Sequence, residues 1–272
     1  MILRGDFYSE ILRMSTNIQV FIPDSAGTSG AIPHIGPPFR IVYLLHGLHG
    51  NQGTWLDNTM LPVHAKKHNA VFVMPEAGRS FYANQKYGRK YSDYIGVELP
   101  QICRRIFNIS AKREDTAIMG CSMGGYGALW FALSKPELYG FCAAITPACL
   151  NMKQMLEALR IDPRPFLKTV PEAEEIYTDL RSIYGDGLEY NPDYDVKELV
   201  KKIPPAMPKP VIYMACGTED DLYKENLVFK DEMGNTDFDF TYEEWAGEHE
   251  WYFFNEALKK ALEFWHAKEN QA

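Results

Sequence analysis

The stretch "DTAIMGCSMGGYGAL", residues 115–129, runs from an apolar segment through one serine set among glycines into a second apolar segment. It contains G-x-S-x-G, with Gly120, Ser122 and Gly124 at the fixed positions, between a strand-like "TAIMG" and a helix-like "GGYGALWFALS". A sharp strand-to-helix turn of this kind exposes the serine oxygen and strains its backbone. The turn also brings the residues two before and two after the serine together, so Gly120 and Gly124 must be small. The helix that follows aims its N-terminal amides at the same place, where they favour negative charge. The Met123 N–H becomes a donor for a developing oxyanion, and Cys121 reads as a buried neighbour of the serine.

Outward from this turn, β-like runs alternate with amphipathic helical ones, which predicts an α/β sheet. Strands are expected over 18–22, 39–45, 70–74, 116–119, 140–145, 211–215 and 238–245. Helices are expected over 92–107, 124–134, 152–159, 196–202, 225–233 and 250–267, with Pro100 kinking the first. The blocks "RIVYLL", "NAVFVM" and "PVIYMA" are continuously apolar, the pattern of parallel strands covered on both faces. The opening "FYSEILRMSTNIQVFIP" reads instead as an antiparallel pair. Residues 150–210 carry many prolines and charges and no strand pattern. They read as a lid-like insertion in a single domain spanning 1–272.

A serine hydroxyl is a weak nucleophile until a base takes its proton, and the base needs a carboxylate to fix its tautomer. In the α/β-hydrolase order the acid and the histidine follow the serine on loops at the ends of later strands. Here "KPVIYMAC" runs into "GTEDDLY" and "FDFTYEEW" into "AGEHEWYFF". Asp220 is the acid by position, with Asp221 as the fallback, and His249 is the base. The second oxyanion donor is expected from "LLHGLHGN", where glycines let the Leu48 N–H turn toward the serine. His46 and His49 in that loop are read as structural. Phe81, Tyr82 and Trp251 are candidates for a substrate wall, with Trp55 a further one.

These segments together resemble the α/β-hydrolase esterases grouped with tributyrin esterase, esterase D (S-formylglutathione hydrolase) and carbohydrate esterase family one. The likeness runs through "FYSEIL", "LLHGLHGN", "YIGVELPQI", "REDTAIMGCSMGGYGA", "CGTEDDLYKEN" and "GEHEW". It implies Ser122 as nucleophile, Asp220 as acid, His249 as base, and Leu48 and Met123 as oxyanion donors. Leu48-His49-Gly50 and Tyr126 depart from the S-formylglutathione hydrolase pattern, which points to the short-chain acyl and carbohydrate-ester branch. A thioesterase or acyltransferase on the same triad is the alternative, and a non-catalytic binding protein is the remote one.

With 28 Lys and Arg against 36 Asp and Glu, the net charge is −8, which disfavours nucleic acid or an anionic membrane surface as partner. Six acids near the expected site (Glu219, Asp221, Glu243, Glu244, Glu248, Glu250) suggest neutral esters as substrate or, more simply, a solvated rim. No metal or cofactor is called for. The seven histidines lack paired metal spacing, and the five cysteines lack CxxC spacing. Charges interrupt the first residues, and no segment is long and apolar enough for a membrane, so a cytoplasmic protein acting on a small molecule is expected. A homo-oligomer stays open.

Overall fold

The computed structural model describes residues 1–23, 36–170 and 172–269. They form one sheet of eight strands: β1 (Ile2–Ser9), β2 (Met14–Phe21), β3 (Arg40–Leu45), β4 (Ala70–Pro75), β5 (Thr116–Cys121), β6 (Phe141–Ile145), β7 (Val211–Gly217) and β8 (Phe240–Trp245). The order across the sheet is β1-β2-β4-β3-β5-β6-β7-β8. β1 and β2 pair antiparallel, as do β2 and β4, while β4, β3, β5, β6, β7 and β8 run parallel to one another. This is the α/β-hydrolase arrangement expected from the sequence, with the antiparallel pair beginning earlier, at Ile2.

The helices are α1 (Thr54–Asn58), α2 (Leu61–His64), α3 (Tyr91–Asp93), α4 (Leu99–Ile106), α5 (Met123–Ser134), α6 (Met152–Ile161), α7 (Arg164–Thr169), α8 (Ala173–Tyr184), α9 (Val196–Lys202), α10 (Tyr223–Met233) and α11 (Trp251–Glu269). The helix expected over 92–107 is divided: a π-helical turn, Tyr94–Glu98, joins α3 to α4. Pro100 lies in the first turn of α4, where its missing N–H leaves the preceding carbonyls to a wider ladder.

Both sheet faces are covered, which explains the unbroken apolar runs. Ile41, Tyr43 and Leu45 of β3 face a core that includes α5, while Val42 and Leu44 face a second core built on Trp55 and on Phe254, Leu258, Leu262 and Trp265 of α11. Side chains alternate across a strand, so only a strand buried on both sides can be apolar throughout. α5 is buried from Met123 to Leu133, a helix apolar all round lying against the sheet beneath the helices that follow β6. The described residues of 150–210 carry α6 to α9 and no strand. Their 3-10 turn, Pro192–Tyr194, is fastened to α5: the Tyr126 hydroxyl donates to the Tyr194 carbonyl at 2.5 Å and the Trp130 indole to the Asp193 carbonyl at 2.7 Å.

Candidate active site

β5 ends at Cys121 and α5 begins at Met123, so Ser122 alone makes the turn. Its φ of 55° and ψ of −122° lie outside the regions a non-glycine residue favours, and such strain persists only where surroundings enforce it. They do so here. The Ser122 N–H donates to the Ile145 carbonyl at 2.9 Å, and its own carbonyl accepts from Tyr126 and Ala148 at 3.1 and 3.2 Å. A Cβ on Gly120 would lie 2.2 Å from the Gly124 carbonyl oxygen, and one on Gly124 would lie 2.3 Å from that of Leu45. No side chain fits at either position. Cys121 is buried and its thiol is pushed up to about 12 by desolvation, which leaves it inert beside the serine.

His249 and Asp220 come from loops at the ends of β8 and β7. Those loops touch backbone to backbone, since a Cβ on Gly217 would lie 2.1 Å from the Gly247 carbonyl oxygen, and the Glu219 N–H donates to that oxygen at 3.1 Å. The Asp220 side chain has no solvent exposure. One carboxylate oxygen accepts the Leu222 N–H at 2.8 Å; the other meets His249 Nδ1 at 2.8 Å. With Nδ1 donating to the carboxylate, Nε2 is left as the acceptor, the tautomer a general base requires. Phe254 packs edge-on to the imidazole at 5.1 Å. Asp221 is exposed and is not the partner.

The loop after β3 packs on the serine turn, with Gly47 so placed that a Cβ there would sit 3.4 Å from that of Ser122. His46 is buried and holds this loop: its Nε2 accepts the Ala77 N–H at 3.0 Å and its Nδ1 meets the Gly47 carbonyl at 2.8 Å. Desolvation pushes its pKa down, consistent with a neutral ring. His49 is exposed and bonds Glu172 at 2.6 Å, just before α8, so the loop is tied to the segment above it.

Ser122, Met123, Leu48 and His249 line one cavity of about 390 Å³. Its other walls include His49, Phe81, Ala148, Cys149 and Leu222, together with Asn151, Met155, Phe166 and Ile176 from residues 150–210. Of the expected aromatic wall, only Phe81 lies there. Tyr82 is a correction: it is buried, and its hydroxyl is spent on the His46 carbonyl at 2.7 Å. Trp251 is the second correction, lying outside the lining and packed edge-on against Trp55 and Phe254, each at 5.4 Å. Trp55 is fully buried and donates to the Leu45 carbonyl. None of the six acids singled out in the sequence lines the cavity; Glu243 bonds Tyr213 and Lys260, and Glu244 pairs with Lys230.

The family model named Esterase matches residues 9–265. The chain belongs to the esterase family. An acetyl esterase of Caldicellulosiruptor saccharolyticus is 31% identical to it over 266 residues, 97% of either chain. Among solved structures, FphF, a fluorophosphonate-binding serine hydrolase of Staphylococcus aureus, superposes with a TM-score of 0.81 at 25% identity, covering 97% of this chain and 98% of that one. The S-formylglutathione hydrolase FrmB of the same organism does so with a TM-score of 0.76 at 26% identity, over 97% and 98%. This esterase is therefore a serine ester hydrolase of the α/β-hydrolase fold.

Two residues of this esterase escaped the sequence reading. Glu225, in the first turn of α10, reaches the cavity as its one carboxylate among the described residues. Asn226 beside it is fully buried, and its amide donates to the carbonyls of Pro147 and Leu222 at 3.0 and 2.9 Å. It thereby joins the loop after β6 to the loop that carries Asp220. A signal existed in the placement of both five and six residues after Asp220, at the start of a helix next to a strand end.

Proposed function

We propose that this esterase hydrolyses small neutral carboxylic esters, acetyl and butyryl esters first and acylated carbohydrates among them, through Ser122, His249 and Asp220. One observation carries the reading: Asp220 clamps His249 at Nδ1 while the same histidine and Ser122 line a single cavity. His249 takes the Ser122 proton as the oxygen attacks the ester carbonyl. The amides of Leu48 and Met123 hold the oxyanion. Met123 is the first residue of α5, so its N–H has no partner within the helix and is available to an anion. His249 returns the proton to the leaving alcohol, and water then repeats the sequence on the acyl-enzyme.

The apolar walls and the modest volume favour short acyl groups, and the name of the acetyl esterase relative supports acetyl. Thioesters are the second substrate class, favoured by the likeness to an S-formylglutathione hydrolase at 26% identity. Residues 150–210 act as a lid-like cover, since four of them wall the cavity. The substrate is the protein's small-molecule partner; a net charge of −8 speaks against nucleic acid and anionic membrane. No helix among the described residues is long and apolar enough to cross a membrane. Five free cysteines support a reducing, cytoplasmic compartment.

A fluorophosphonate probe should label the protein and fail to label Ser122→Ala, whose kcat should fall by a factor on the order of 10⁶. Labelling that survives the substitution would end the proposal. kcat/KM for 4-nitrophenyl acetate, butyrate and octanoate should drop beyond butyrate, and an acetyl thioester beside them ranks the second class.

A further inference from the structure

We propose that Glu225 is the specificity-determining group of the cavity, accepting a hydrogen bond from a hydroxyl on the substrate, so that hydroxylated esters are preferred to hydrocarbon ones of equal shape. This rests on the serine-esterase reading above. The cavity that Glu225 reaches is mostly apolar, with Ala148, Cys149, Met155 and Leu222 in its lining. A carboxylate in such surroundings is costly unless hydrogen-bonded. The Asn151 N–H supplies one bond at 2.6 Å. A carboxylate has two oxygens and about four acceptor sites, so capacity is left on the side that faces the cavity.

The charge of the group decides what it would take. Burial pushes the Glu225 carboxyl up, while the Asn151 and Leu150 amides and the Lys197 ammonium act in the opposite sense. Lys197 sits behind the loop, donating to Asn151 Oδ1 at 2.7 Å and to Glu232 at 2.8 Å. Lys197 is thus paired with Glu232 and acts on Glu225 only from behind the loop. A cationic substrate would meet the field of Lys197, and an anionic one would meet the carboxylate itself. A neutral donor needs no further charge balance, and a hydroxyl is the donor that ester substrates commonly carry.

The test uses matched esters in which a hydroxyl replaces a methyl group. On the acyl side these are 4-nitrophenyl 3-hydroxybutyrate and 3-methylbutyrate; on the alcohol side they are 2-hydroxyethyl acetate and propyl acetate. The wild-type ratio of kcat/KM within one pair should favour the hydroxyl member roughly tenfold, the scale of one hydrogen bond to a charged group. The pair that responds tells which side of the scissile bond meets Glu225. Glu225→Met should bring that ratio to about one, given the loss of the bond. Glu225→Gln keeps an acceptor for the Asn151 N–H and should lower the ratio part of the way, which tests the proposal even if the methionine variant folds poorly. Equal rates within both pairs for the wild type, or a ratio unchanged in the variants, overturn the proposal. If fluorophosphonate still labels Ser122 in that case, the esterase reading stands and only the subsite falls.

Discussion

Asp220 and Asp221 are neighbours in sequence and opposites in environment. Asp220 has a side chain without solvent exposure, held between the Leu222 amide and His249, whereas Asp221 points outward. A buried carboxylate orients the imidazole and stabilises its charged form; a solvated one a residue away does neither. Asp220→Asn should lower kcat by roughly 10³–10⁴-fold, as expected when the histidine loses its tautomer. Asp221→Asn should stay within about twofold, the range of a surface change. Equal losses in a side-by-side kcat measurement would contradict the assignment. The sequence could place an acid in this loop because the loop follows an apolar strand, and it offered Asp220 with Asp221 as the fallback. Burial separates the two, and burial depends on the whole fold. The same limit misplaced Tyr82 and Trp251, since aromatic residues near a mouth look alike in sequence whether they face the cavity or the core.

At the scale of elements, order was legible and closeness was not. Each strand expected from an apolar run is present within a few residues, because strands buried on both faces leave continuous runs that loops do not imitate. Ser122 could be placed because it follows such a run, whereas His249 follows the half-exposed edge strand β8 and was placed by its order behind Ser122 and Asp220. The contact between the ends of β7 and β8 left no such trace: Gly217 closes β7 and Gly247 lies in the loop after β8, thirty residues on, yet their backbones touch. This contact sets the distance between Asp220 and His249. Gly217→Ala puts a methyl group 2.1 Å from the Gly247 carbonyl oxygen, and both sides are backbone, so neither can swing aside. The variant should lose stability at the upper end of the roughly 1–3 kcal/mol that overpacking costs. The strand ends should also part, lowering kcat more than it alters KM. Urea unfolding and steady-state kinetics check the two effects together; an unchanged kcat would mean that the loops are positioned by something other than this contact.

Across the whole molecule, two histidines stand at opposite ends of the sheet in different surroundings, and His68 makes stability depend on pH. His249 lies beyond the C-terminal ends of the strands, where it pairs with a carboxylate. His68 lies at the other end, just before β4, buried against Trp265 and His266 of α11. Desolvation, reinforced by His266, Arg40 and Lys67, lowers the His68 pKa to about 4. The folded state therefore binds this proton more weakly than the unfolded chain, whose histidine titrates near 6.5. The stabilisation from a neutral His68 is complete above that value and is lost as pH falls toward 4. Between pH 7 and pH 5 the loss should be about 2 kcal/mol, from the difference in proton binding of the two states. His68→Phe keeps a ring of similar shape and removes the proton, so its stability should fall less over the same interval. The comparison of urea midpoints at pH 7 and pH 5 cancels the carboxylates common to both proteins. Parallel pH dependences would show that the ring at this end of the sheet is protonated in the folded state without cost, and activity at pH 7 should be equal in the two proteins because His68 lies far from Ser122.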